Sequence, residues 1–316
     1  MTPARARAIV GDPSFTLPRP GGGCTLDRFA ALVRACSDDI STGRLVEAHA
    51  DADAILAEIC DGGTAPGEFW GVWAAETRGS GVDARRGAHG WELSGTKEWC
   101  SGASSCNHAL VTARTDTGNR LFGVDLGHPG VSADSSGWAN AGMRDSDTGT
   151  VTFDAVPADA IGEPGAYLDR PGFWHGGIGV AACWFGGARK VAAPLYRAAA
   201  RSDDPLLLMH AGAVDAHLAS GWAHLQAAAR EIDTDPGAPS KRLAFAVRWS
   251  VEQVATAVID RVGRALGPGP LSADAGHAQA VADLTVYIRQ SHADRDLAVL
   301  GALTDGVPPG PGSAGP

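Results

Sequence analysis

Residues 90–103 read GWELSGTKEWCSGA. Gly95 and Thr96 suit a turn, and the segment after them has little helical character. In an extended chain successive side chains alternate, so Trp99 and Ser101 are expected on one side, a large indole and a hydroxyl among small residues. What such a pair is for depends on what flanks it.

Outward from this stretch, residues 69–160 form short segments such as FWGVWAA, HALVTART, LFGVDL and GTVTFDAV, divided by Gly, Asp, Asn and Pro. Val151 and Phe153 alternate with polar neighbours and Val156 continues after a slip, which predicts an antiparallel β unit. On either side the periodicity is helical. TLDRFAALVRACSDDI sets Leu26, Phe29, Leu32, Val33 and Cys36 on one face, with Thr25 as the expected N-cap, and LVEAHADADAILAEIC follows as a second helix. Before them, Pro13, Pro18, Pro20 and Gly21–Gly23 make residues 1–23 read as an extended lead-in. After Gly165, four helices are expected in GIGVAACWFGGARKVAAPLYRAAA, AVDAHLASGWAHLQAAAREI, FAVRWSVEQVATAVIDRVGRALG and DLTVYIRQSHADRDLAVLG. The tail TDGVPPGPGSAGP is expected to be disordered. The fold class is α+β: an N-terminal helical part at 1–68, a central antiparallel β domain at 69–160, and a C-terminal helical bundle at 161–316.

The 316 residues, 44% hydrophobic and 20% charged, suffice for a substantial folded core. With 26 Lys+Arg against 36 Asp+Glu and no basic cluster, a nucleic-acid partner is not expected. No apolar run reaches the roughly 20 residues of a membrane helix. The six cysteines include no Cys-x-x-Cys pair and the N-terminus has no apolar signal segment, so reduced thiols and a cytoplasmic location are expected.

Two motifs invite a sharper reading. Gly177-Ile178-Gly179-Val180-Ala181-Ala182 matches a dinucleotide fingerprint, but DRPGFWHG precedes it where a strand is required, which leaves close helix packing by small residues. His210, His217 and His224 fall on one helical stripe without a carboxylate or cysteine at metal spacing, so no metal site is expected.

GWELSGTKEWCSGA resembles the "G-x-x-L-x-G-x-K-x-W-x-[ST]-x-[GA]" signature of the acyl-CoA dehydrogenase family of flavoproteins. VWAAETRGSGVDA resembles a degraded form of the preceding "T-E-P-x-x-G-S-D" signature, and GMRDSDTGTVTFDAVPADAIGEPGAY the stretch that closes the family's β domain. LGPGPLSADAGHAQAVADLTVYIRQSHADRDL resembles the last two helices, so the likeness runs in order over residues 45–300. It implies an acyl-CoA dehydrogenase-like fold and an FAD cofactor whose ring lies against Trp99 and Ser101. The indole would cover the flat apolar ring and the hydroxyl would reach its polar edge. The loop from Val72 through Ala74 and Ala75 would add backbone contacts; Ala75 stands where the family has Thr. A small-molecule substrate, an acyl-CoA or other activated acyl compound, and a homodimer or homotetramer are further implications.

Family members remove a proton with a carboxylate in "I-Y-E-G-T" or, in a minority, on the helix after "L-G-x-x-G". Here the corresponding stretches are VYIRQSH, with Ser291 and His292 at its end, and GFWHGGIGVAACWFGGA, with His175 near its start; neither contains Asp or Glu. His292, with Ser291 beside it, and His175 are the candidates for catalysis. Arg201 is the nearest counterpart of the Arg that reaches FAD across a subunit boundary, although Asp203 and Asp204 follow it. The readings are α,β-dehydrogenation of an acyl thioester, a flavin-dependent monooxygenase on the same fold, and a non-catalytic paralogue.

Overall fold

In the computed structural model, which describes residues 2–77, 80–88, 90–304 and 306, three helices precede a β barrel and the remaining helices follow it. α1 (Thr2–Val10) corrects the extended reading of the lead-in: its Ala6 is buried against Leu45, Val46 and Phe69, an anchor that a nine-residue polar segment does not advertise. α2 (Thr25–Asp38) buries the expected face, but Cys24, not Thr25, is its N-cap. The Thr25 hydroxyl instead donates to Asp233 at 2.5 Å and ties the helix to the far end of the bundle. α3 (Ile40–Cys60) starts five residues before the expected point because Asp39 caps it, accepting from Thr42 N at 2.7 Å.

The strands are β1 (Trp70–Trp73), β2 (Gly81–Gly87), β3 (Gly90–Cys100), β4 (His108–Thr115), β5 (Gly118–Asp125), β6 (Val131–Asp134) and β7 (Gly149–Ile161). Pairing runs β4-β2-β3-β7-β5 and returns from β5 to β4, closing a small barrel, with β1 added on β4 and β6 on β7. The sheet is mixed: β1 and β2 both meet β4 in parallel, a direction that alternation along one strand does not encode. The slip before Val156 is a bulge, with Ala155 at φ 49° and two residues opposing Ser94, so that Val151, Phe153 and Val156 all enter the barrel. Gly95 lies inside β3, where a Cβ would sit 2.2 Å from the Gly81 carbonyl oxygen; no turn forms there.

α4 (Ala166–Asp169) leads into α5 (Pro171–Ala199), the central helix, whose Ile178, Ala182, Trp184 and Val191 are buried in the helical core. The Gly-x-Gly segment lies wholly within α5, with no strand before it. Small residues here allow close helix contact: a Cβ on Gly186 would stand 2.5 Å from the Val33 carbonyl oxygen of α2. α6 (Pro205–Thr234), α7 (Lys241–Leu266), α8 (Gly269–Ala273) and α9 (Ala275–Tyr287) complete the bundle, and α10 (Asp294–Ala302) follows. The expected helix through 283–301 is interrupted: a 3-10 turn at Ile288–Gln290 ends α9, and Ala293 at φ 48° redirects the chain into α10. Most of the tail lies outside the described residues. The described helices include none long and apolar enough to cross a membrane.

Candidate functional site

At the end of β3 the register against β7 shifts between Lys97 and Cys100, and Trp99 adopts φ 62°, a left-handed conformation unusual for a bulky residue. The bulge breaks the expected alternation. Trp99 is 58% exposed while Ser101, two residues on, is 6% exposed. One neighbour fixes the indole's orientation: the edge of Trp138 meets it at 86° with 5.6 Å between ring centroids.

The surroundings of Ser101 are polar and ordered. Thr148 Oγ1 donates to Ser101 Oγ at 3.2 Å, Ser146 Oγ contacts Thr148 at 2.7 Å, and Ser146 donates to the Met143 carbonyl at 2.6 Å. Ser101 Oγ ends this chain of hydroxyls, with Thr148 its one side-chain partner among the described residues. Trp73 Nε1 donates to the Ser101 carbonyl at 3.0 Å, fastening the site to β1.

Lys97 sets the adjoining loop. Its ammonium is buried inside the barrel, donating to Thr112 Oγ1 at 2.8 Å, the Thr112 carbonyl at 3.1 Å and Glu76 Oε1 at 3.0 Å. A buried ammonium needs such partners, and the one charged partner lies in the loop after β1. The half-exposed Val72 and Ala74 and the exposed Ala75 are thus held at a defined distance from β3. Neither Lys97 nor Thr112 is among the site residues expected from the sequence, since only barrel closure brings β4 to the Lys97 ammonium.

Loop 138–143 connects this face to the bundle. Trp138 Nε1 donates to the Gly142 carbonyl at 3.0 Å, Gln279 of α9 donates to the Ala141 carbonyl at 2.9 Å, and Met143 N donates to Asp283 Oδ1 at 2.6 Å. Burial raises the pKa of Asp283, opposed by that hydrogen bond and by one from Gln279.

The candidate bases have other partners. His175, in the first turns of α5, is buried and shares a 3.2 Å hydrogen bond between Nε2 and Ser240 Oγ; burial lowers its pKa and favours the neutral imidazole. His292 is exposed and pairs with Asp296 at 3.4 Å, and Ser291 Oγ accepts from Ala293 N at 3.1 Å. Arg248 of α7 joins the two segments, donating to the Gly177 carbonyl at 2.9 Å and the Gln290 carbonyl at 3.1 Å, with its guanidinium over Trp184 at 4.6 Å. Arg201 is exposed in the turn between α5 and α6, away from the barrel. His210, His217 and His224 lie along α6, and among the described residues no group of His, Cys, Asp and Glu is arranged to hold a metal ion.

Comparison with known proteins agrees with this architecture. Residues 74–156 match the family described as the acyl-CoA dehydrogenase middle domain. An alignment 168 positions long, which covers 46% of this chain, is 32% identical to a probable FMNH2-dependent monooxygenase, SfnC, of Pseudomonas putida, and spans 42% of that relative. Among solved structures, glutaryl-CoA dehydrogenase of Mycobacterium smegmatis superposes with a TM-score of 0.81 at 17% identity, covering 98% of this chain and 87% of its own. TdsC of Paenibacillus sp. A11-2, a dibenzothiophene monooxygenase solved with FMN and indole, superposes with a TM-score of 0.74 at 20% identity, covering 88% of this chain and 82% of its own.

Proposed function

From a chain with the acyl-CoA dehydrogenase-like fold, carrying that family's middle domain at residues 74–156, we propose a flavin-dependent oxidoreductase of the monooxygenase type. Trp99 would cover the flavin ring, and the Ser101 hydroxyl would reach its polar edge. The exposed indole in a left-handed bulge, beside a buried hydroxyl at the end of a hydrogen-bonded chain, supports that placement. When bound, the flavin supplies the redox chemistry; Trp99 and Ser101 orient it, and Lys97 with Glu76 holds the loop that borders it. FMN is the proposed form, in keeping with the FMN-bound neighbour and the FMNH2-dependent relative; Arg201 would serve an FAD tail only in a dimer.

What fills the two positions where the resemblance places a base carries the oxygenase reading. In 286–292, Ile288 is buried in the helical core, Arg289 pairs with Glu252 at 3.4 Å, and His292 is exposed. In the first turns of α5, the buried His175 stands among glycines and aromatic residues. The dehydrogenase reading keeps one observation in its favour: Glu47 on α3 is a buried carboxylate ion-paired with Arg44, and burial raises its pKa.

The deciding experiment reconstitutes the protein with FMN and with FAD, records visible spectra, and reduces the bound flavin anaerobically. A protein-dependent reoxidation phase on mixing with oxygen, absent in Trp99→Gly, is expected. Bleaching of the oxidised flavin by butyryl-CoA without oxygen, together with suppressed reoxidation, would overturn the oxygenase reading in favour of dehydrogenation. A protein that takes up neither flavin would leave only the inherited fold. We further propose a homodimer and a small-molecule substrate.

A further inference from the structure

On the side of the helical part formed by α2, α5 and α6 lies a cleft of about 890 Å³. Its floor is apolar and aromatic: Phe185 of α5 and Trp222 of α6 stack with centroids 5.9 Å apart and 26° between planes. Its rim carries three guanidinium groups, Arg34 from α2 and Arg189 and Arg197 from α5. The sequence does not reveal this cluster, because Arg34 is brought to Arg189 only by the packing of α2 on α5.

None of these three arginines forms an ion pair among the described residues. Among the described residues, neither Arg34 nor Arg189 makes an ion pair or a side-chain hydrogen bond, although both also border a second cleft of about 520 Å³. Carboxylates close to them are engaged elsewhere: Asp38 binds Arg5, and Asp215 accepts from the Tyr196 hydroxyl at 2.8 Å. In a chain of net charge -10, these uncompensated guanidiniums over an apolar floor are a local reversal of sign. Concave sites lined mostly by apolar groups with a few placed charges are the usual form of small-molecule sites.

We propose that the cleft between α2, α5 and α6 binds an amphipathic anion, a carboxylate with an apolar body, whose head is held by Arg34 and Arg189 and whose body lies on Phe185 and Trp222. The guanidinium fork suits a carboxylate. The site is separate from Trp99 and Ser101 and does not depend on flavin binding.

Calorimetric titration of the full chain with monomeric decanoate, and with decanol as the neutral analogue, tests the assignment. The wild type is expected to bind decanoate at least about tenfold more tightly than decanol, and Arg34→Leu/Arg189→Leu to lose that preference. The single variant Arg189→Gln, at an exposed position, serves as a second test and is expected to lose part of it. Equal affinity for the two probes, an undiminished preference in the variants, or no binding by the wild type would each overturn the proposal. A wild type that fails to bind decanoate and whose light-scattering mass falls in the double variant would assign the cleft to contact with a second copy of the chain instead.

Discussion

Trp99→Gly separates a structural role for the indole from a cofactor role. Trp99 is 58% exposed. Of the ~250 Å² that a large aromatic side chain can bury, it therefore covers on the order of 100 Å², worth at most about 2.5 kcal/mol at ~25 cal/mol/Å². Glycine relieves the left-handed backbone, which costs a residue with a Cβ roughly 1–2 kcal/mol. The net loss of stability is expected to be about 1 kcal/mol, well below the roughly 3–5 kcal/mol of a truncated core tryptophan. Flavin binding should suffer more. If a planar ring stacked on an aromatic side chain gains ~1–3 kcal/mol, the dissociation constant rises about fivefold to 150-fold. Urea unfolding of the flavin-free protein and fluorescence titration with FMN give the two numbers. A loss of 3 kcal/mol or more, on that same scale of about 3–5 for core truncation, or an unchanged flavin affinity, would refute the assignment of Trp99 to the cofactor.

Four further outcomes are expected. Ser101→Ala removes the hydrogen-bond partner of the Thr148 hydroxyl and the hydroxyl offered to the flavin, and should cost about 1 kcal/mol in stability while weakening FMN about tenfold, measured by the same titrations. Gly186→Ala drives a methyl against the α2 backbone, and a melting curve should register about 1–3 kcal/mol of destabilisation. The lowered pKa of His175 means the unfolded chain binds a proton more readily than the folded one. Its contribution to stability is therefore present above the unfolded value near ~6.5 and lost as pH falls through the folded pKa, so His175→Asn should flatten the decline of Tm on that acid side. Light scattering should give twice the 32.3 kDa chain mass, and a monomer mass would overturn the proposed homodimer.

Much of the architecture was legible because the barrel strands and the longer helices carry strong periodicity. Val151, Phe153 and Val156 even disclosed a bulge, since a slip in a two-residue pattern has few other physical causes. α1 was missed because its buried contact is a single alanine, and the continuous helix expected over 283–301 was wrong because nothing in SHADRD signals the left-handed turn at Ala293. At the site, Trp99 and Ser101 could be named from the signature, but their opposite exposures follow from a backbone angle the sequence does not announce. Trp138, Thr148 and Thr112 reach the site from distant positions, and only the closed barrel and the loop tied to α9 make them neighbours.

Arg248 joins the segments of both candidate histidines by donating to one carbonyl in each. Those segments consequently share a brace, and an alteration in one is transmitted to the other through the same guanidinium. Kinetic effects of substitutions at His175 and His292 are therefore expected to be non-additive even where neither imidazole exchanges a proton with substrate. Arg248→Lys, which keeps the charge but loses the fork, would expose how much of that interdependence is carpentry and how much is chemistry.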